Sequence, residues 1–96
     1  MNEKQRAFYE KFDAQLEEWS AQIAHLKARG VAVKTEFIID FSDTLDALQL
    51  KRNEGWAKLK ELKAARDEAW EDLEKAMEKI ITEGKAAFHE AISRFK

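Results

Sequence analysis

The sequence predicts an all-α protein built from long helices. None of the 96 residues is proline, so no backbone position is barred from a helix. Charged residues make up 38% of the chain, and alanine, leucine, glutamate and lysine dominate, which is the composition of long helices and coiled coils. Apolar residues recur at alternating steps of four and three, the spacing of a coiled-coil seam. The expected architecture is a single helical coiled-coil domain over residues 1–96, folded as an antiparallel coiled-coil hairpin or as its domain-swapped dimer. A compact three-helix bundle, breaking near Gly30 and Asn53, is the alternative.

The first helix starts at Asn2, a suitable N-cap with Gln5 three residues later to complete a capping box. Phe12, Leu16, Trp19, Ile23, Leu26, Gly30, Val33 and Phe37 then form an unbroken heptad seam. Because Val33 and Phe37 keep the register set by Leu26, Gly30 reads better inside a continuous helix than as a helix end. Glycine there costs about 1 kcal/mol relative to alanine. Beyond Phe37 the seam runs through Phe41, Leu45 and Leu48, while Ile38 and Ile39 widen the apolar face. This central stretch is the densest apolar cluster in the chain. Its β-branched residues make a short strand the competing reading, although no turn chemistry brackets it.

Lys51-Arg52-Asn53-Glu54-Gly55 is the best turn candidate, because Asn53 and Gly55 tolerate left-handed backbone. A second stripe follows with Trp56, Leu59, Lys63, Arg66, Trp70, Leu73, Met77, Ile80 or Ile81, Gly84, Phe88, Ala91 and Phe95. Asp67 could N-cap a separate last helix with Glu68 and Glu71 in or near its first turn. A fold-back near residue 50 would set Phe12 against Phe88, Leu16 against Gly84, Gly30 against Trp70 and Phe41 against Leu59. Glycine opposite a large side chain is good core complementarity.

Charge falls in blocks: −3 over residues 31–50, +4 over 51–66, −5 over 67–83 and +2 over 84–96. Alternation of this kind suits surfaces that pair with each other. The net charge of −2 argues against general nucleic-acid binding, and the basic residues between Lys51 and Arg66 spread around a helix instead of forming one stripe. No run is long enough to span a membrane. The N-terminus MNEKQRAFYEKF has charges where a secretory leader needs an apolar core, so a cytoplasmic setting is expected.

Nothing in the sequence assembles a reaction centre. His25 and His89 have no carboxylate or second histidine at a four-residue helical spacing, so no metal site within one helix is expected. There is no cysteine, no glycine-rich phosphate loop and no elbow context around Ser20, Ser42 or Ser93. No enzyme activity and no cofactor are therefore expected. Trp19, Trp56 and Trp70 read as seam residues.

Leu48-x-x-Lys51-Arg52-x-Glu54, Lys58-Leu59-x-Glu61-Leu62, Ala69-Trp70-Glu71-Asp72-Leu73 and Ala91-x-Ser93-Arg94-Phe95-Lys96 carry a resemblance. Over roughly residues 45–96 the chain is similar to small bacterial coiled-coil proteins described as stress-response or coiled-coil domain-containing. The resemblance implies a helical, oligomeric protein with no catalytic residues to carry over. Phe37-Ile38-Ile39 and Gly55 depart from its more polar, alanine-rich pattern. The expected function is a non-catalytic structural or protein-interaction module that forms a homo-oligomer through its central apolar segment, with a further protein partner unidentified. An amphipathic coat on lipid, membrane or polymer-granule surfaces is the alternative.

Overall fold

The first turn forms as its residues dictate. The Asn2 side chain accepts a hydrogen bond from the Gln5 backbone N–H at 2.8 Å, and the Gln5 side chain accepts one from the Asn2 N–H at 3.2 Å. This capping box opens helix α1, Glu3–Arg29. The computed structural model describes residues 1–95, which contain two further long helices, α2 over Ile38–Ala64 and α3 over Asp67–Arg94. There is no strand among the described residues, so the central apolar stretch is not β. The helices lie side by side in a bundle of 50 × 18 × 17 Å. A helix of this length measures roughly 40 Å, so each one runs most of the length of the molecule.

The chain turns twice. Between α1 and α2, two short 3-10 turns, Gly30–Ala32 and Thr35–Phe37, flank an extended pair, Val33 and Lys34, with ψ of 131° and 144°. Between α2 and α3, only Ala65 and Arg66 leave the helical region, with ψ of 148° and 160°. Both α1 and α3 therefore run antiparallel to α2 and parallel to each other.

The alternative of a three-helix bundle is the arrangement found: its first break falls near Gly30 as that alternative has it, and its second at Ala65–Arg66 rather than near Asn53. Gly30 does not sit within a continuous helix: α1 ends at Arg29, and the chain folds back so that the Phe41 ring lies over Gly30. A Cβ on Gly30 would stand 3.0 Å from Phe41 Cε1. The segment from Lys51 to Gly55 is not a turn but mid-helix in α2. Gly55 is there to let another helix approach, since a Cβ would lie 2.5 Å from Leu16 Cδ2. Asp67 is the first residue of α3 rather than its cap; Arg66 is the cap.

These turns rearrange the expected pairings while keeping their logic. Leu16 faces Gly55, not Gly84; Gly84 receives the Trp19 indole, whose Cη2 would be 2.0 Å from a Cβ. Trp19 also stacks on Phe88 at 4.9 Å between centroids, and Phe8 meets Phe12 and Trp70 edge-on at 4.2 and 5.9 Å. Of these, the Trp19–Phe88 and Phe8–Trp70 pairs join α1 to α3, while Phe8–Phe12 lies within α1. Charge blocks also meet differently: the +4 block on α2 lies along the −5 block of α3, with Lys51 bridging Glu54 and Glu83 at 3.2 Å each.

Most of the expected seam is core. Phe12, Leu16, Trp19, Ile23, Leu26, Phe41, Leu48, Leu59, Trp70, Met77 and Phe88 are buried, and Leu45, Trp56 and Leu73 pack against them partly covered. Val33, Phe37 and Ile38 are the corrections: Val33 is half-buried, and Phe37 and Ile38 are each 49% exposed, because the hinge swings them off the bundle axis. Leu62, Ile80, Ile81 and Ala91 complete the core, whereas Lys63 and Arg66 point to solvent. The Ala65–Arg66 turn resets the helical phase, so the stripe through Lys63 and Arg66 never forms.

Gly84→Ala should be the most damaging single-methyl insertion in the chain. Overpacking costs about 1–3 kcal/mol, and relief of the glycine helix penalty offsets about 1 kcal/mol of that. Three atoms of the Trp19 ring crowd that position, which puts the cost at the upper end and leaves a net of about 1–2 kcal/mol, a melting-temperature drop of roughly 4–16 °C by circular dichroism. An unchanged or raised melting temperature would show that Trp19 does not seat on Gly84.

Candidate functional site

The core is apolar, and among the described residues it holds no buried polar or charged side chain. The aliphatic and aromatic residues left uncovered concentrate at the α1–α2 hinge. Val31 is 96% exposed and Ile39 76%, and Phe37 and Ile38 lie between them in sequence. Met1 and Leu50 are the other large exposed apolar residues, but each stands apart from this group in the chain. Isolated apolar residues on a surface need no explanation, whereas a cluster at one end of a small bundle marks a contact surface.

The hinge end has a defined shape. An open cleft of about 450 Å³ is lined by Arg29, Ala32, Val33, Lys34, Phe37, Asp40, Arg94 and Phe95. Its apolar wall is extended inward by Phe41, which meets Phe95 edge-on at 5.0 Å. An ion pair between Arg94 and Asp40 straps the last turn of α3 to the first turn of α2. Arg29 and Lys34 make no ion pair among the described residues, so cations and apolar side chains alternate around the rim.

Chemistry-bearing residues are dispersed. His25 and His89 lie on exposed faces of α1 and α3. Among the described residues no group of three or more histidine, cysteine, aspartate or glutamate side chains could hold a metal ion. Ser20 is half-buried on α1, and Ser42 and Ser93 are exposed on α2 and α3. The Lys51 pKa is raised: desolvation lowers it, but hydrogen bonds and charge from Glu83 and Glu54 more than offset that. Lys51 thereby ties α2 to Glu83 of α3, with Glu54 of its own helix sharing the charge.

The basic residues of α2 are partly occupied by the chain's own acids. Lys51 is held by Glu54 and Glu83, and Lys58 by Glu61 at 3.0 Å. Arg52 donates to the side-chain oxygen of Asn53 at 3.4 Å. Lys60 and Lys63 on the same helix are exposed. No helix is long and apolar enough to cross a membrane among the described residues.

Of the expected self-association residues, the structure brings Phe37, Ile38 and half-buried Val33 to the surface together and consumes the others in the bundle core. Val31 and Ile39 were not singled out by the heptad pattern, because neither sits on its seam. The signal for Ile39 was the uninterrupted apolar run Phe37-Ile38-Ile39, and Val31 lay outside that run. No protein-family model, curated protein or solved structure matches the chain.

Proposed function

We propose that this chain is a non-catalytic helical module that works by contact, associating with a second copy of itself through the hinge between α1 and α2. The observation that carries this reading is the exposure of Val31, Phe37, Ile38 and Ile39 at one end of an otherwise closed bundle. Covering a fully exposed side chain of this size contributes about 1.5–3 kcal/mol. A two-fold contact covers the set twice, which competes with an association cost of about 4–15 kcal/mol. Rim charges favour the same occupant. Arg29 and Lys34 lie on the α1 side of the hinge, and Glu36, Asp40 and Asp43 lie on the α2 side, so a two-fold contact sets opposite charges together.

What supports the non-catalytic reading is a core of apolar residues, with no buried polar or charged side chain among the described residues. A stress-related role follows the description of the proteins the chain resembles, and a cytoplasmic setting follows the charged N-terminus. What supports the former is the set of quoted motifs, in which Leu48, Leu59, Leu62 and Trp70 are core residues. The surface-coating alternative requires the helices to part, since the seam residues that would meet a lipid or polymer surface pack on one another instead.

Light scattering coupled to size exclusion tests the proposal. The protein should run as a concentration-dependent dimer, and Ile38→Asp with Ile39→Asp should return it to a monomer of unchanged helical content. Both positions are exposed in the isolated bundle, so the substitutions should change its own stability by no more than about 0.5 kcal/mol each. A wild-type protein that stays monomeric at all concentrations contradicts the proposal, as does a double variant that keeps the dimer mass.

A further inference from the structure

We infer that the second copy is engaged by exchange of α1: the hinge straightens at Val33–Lys34, α1 and α2 join into one helix, and each α1 docks on the other copy's α2–α3 hairpin. This rests on the self-association proposed above and specifies its geometry. Three features of the chain point to it.

The first is the seam. The four-and-three spacing of Leu26, Gly30, Val33 and Phe37 continues without a break across a segment that the closed bundle bends. In the closed form this continuity has no use, since Phe37 is 49% exposed. In a straightened helix it is an uninterrupted core.

The second is the hinge backbone. Gly30 is already helical, with φ −55° and ψ −30°, and the two 3-10 turns are close to helical. Only Val33 and Lys34 are extended, no residue of the hinge is proline, and no residue has positive φ. Rotation about few bonds therefore converts a bend into a helix running from Glu3 to Ala64, roughly 90 Å long at 1.5 Å per residue. Short hinges between packed elements favour such exchange, because every contact of α1 is re-formed with the other copy.

The third is the register. Leu16 with Gly55 and Gly30 with Phe41 place the midpoint of α1–α2 packing between Thr35 and Glu36. Two straightened helices crossing antiparallel at that midpoint bring Val33 of each copy against Phe37 and Ile38 of the other. Lys34 of each copy then lies beside Glu36 of the other. The exposed residues of the hinge acquire partners, and the rim charges match.

The α2–α3 turn offers none of this. Lys63 and Arg66 interrupt its seam, and neither Ala65 nor Arg66 would add a large apolar side chain to a new contact. Exchange is therefore assigned to the first hinge alone.

The chain has no cysteine, so introduced pairs report cleanly. Gln5 donates to Asp67 at 3.2 Å, joining α1 to α3, and Arg94 pairs with Asp40, joining α3 to α2. A Gln5→Cys/Asp67→Cys protein, isolated as the dimer and treated with a short bis-maleimide, should run at dimer mass on a denaturing gel. An Asp40→Cys/Arg94→Cys protein treated alike should run at monomer mass, because that pair stays within one chain. If the first pair cross-links within one chain while light scattering still reports a dimer, exchange is overturned and the simpler end-on contact stands. If no dimer forms at all, self-association falls as well.

Lys34→Pro gives an independent reading. Lys34 has φ −62° and is preceded by extended Val33, so proline fits the bent hinge but not a continuous helix. The variant should be at least ten-fold less prone to dimerise while melting no lower than wild type. Undiminished dimerisation of this variant would overturn exchange, since end-on contact needs only the exposed residues that it retains.

Discussion

Close approach of α1 to both other helices is the constraint on which the structure depends. Trp19 and Leu16 lie one helical turn apart on α1, and each reaches across to a glycine, Gly84 on α3 and Gly55 on α2. Neither contact tolerates a Cβ without displacing a ring or a leucine terminus. Fixing these two contacts sets the axial position of α1 against both partners at once. The stacked Trp19–Phe88 pair and the edge-on Phe8–Trp70 pair then follow along the same line. Surface ion pairs such as Lys58–Glu61 add at most about 1 kcal/mol each, so packing rather than charge decides the arrangement.

What packing consumes also determines what remains. Each of the three helices presents one apolar flank to the others, and the bundle closes over nearly all of it. The exception is the hinge, where the chain must turn within a few residues and cannot keep Val31, Phe37, Ile38 and Ile39 inside. The same end carries the Arg94–Asp40 strap and the Phe41–Phe95 contact, which hold α3 to α2 without α1. An α2–α3 hairpin secured in this way is a platform that can receive an α1 from either copy.

The all-α class, the capping box at Asn2 and eleven of the expected seam residues were legible in the sequence, because composition and apolar spacing act locally. The turns were not. Asn53 and Gly55 carry turn chemistry, yet Gly55 serves an interhelical contact with Leu16 that no local pattern announces. Ala65 and Arg66 form a real turn with no glycine, proline or asparagine to mark it; only the acids at Asp67 and Glu68 hint at a new helix. The matching of large side chains to glycines was right as a principle, but the partners changed once the turns moved. The hinge misled for a different reason: its apolar spacing, a heptad as far as Phe37 and then a stutter through Phe41 and Leu45, fits a straight helix as well as a bent one, and a single sequence pattern cannot distinguish the two.

Hydrogen exchange followed residue by residue over a range of protein concentrations tests the central claim most directly. Amides from Val31 to Ile39 should gain protection as concentration rises, while those around Trp19, Leu59 and Met77 stay equally protected throughout. Hinge amides that exchange at the same fast rate at every concentration would contradict it, because the apolar end would then have no partner copy to cover it.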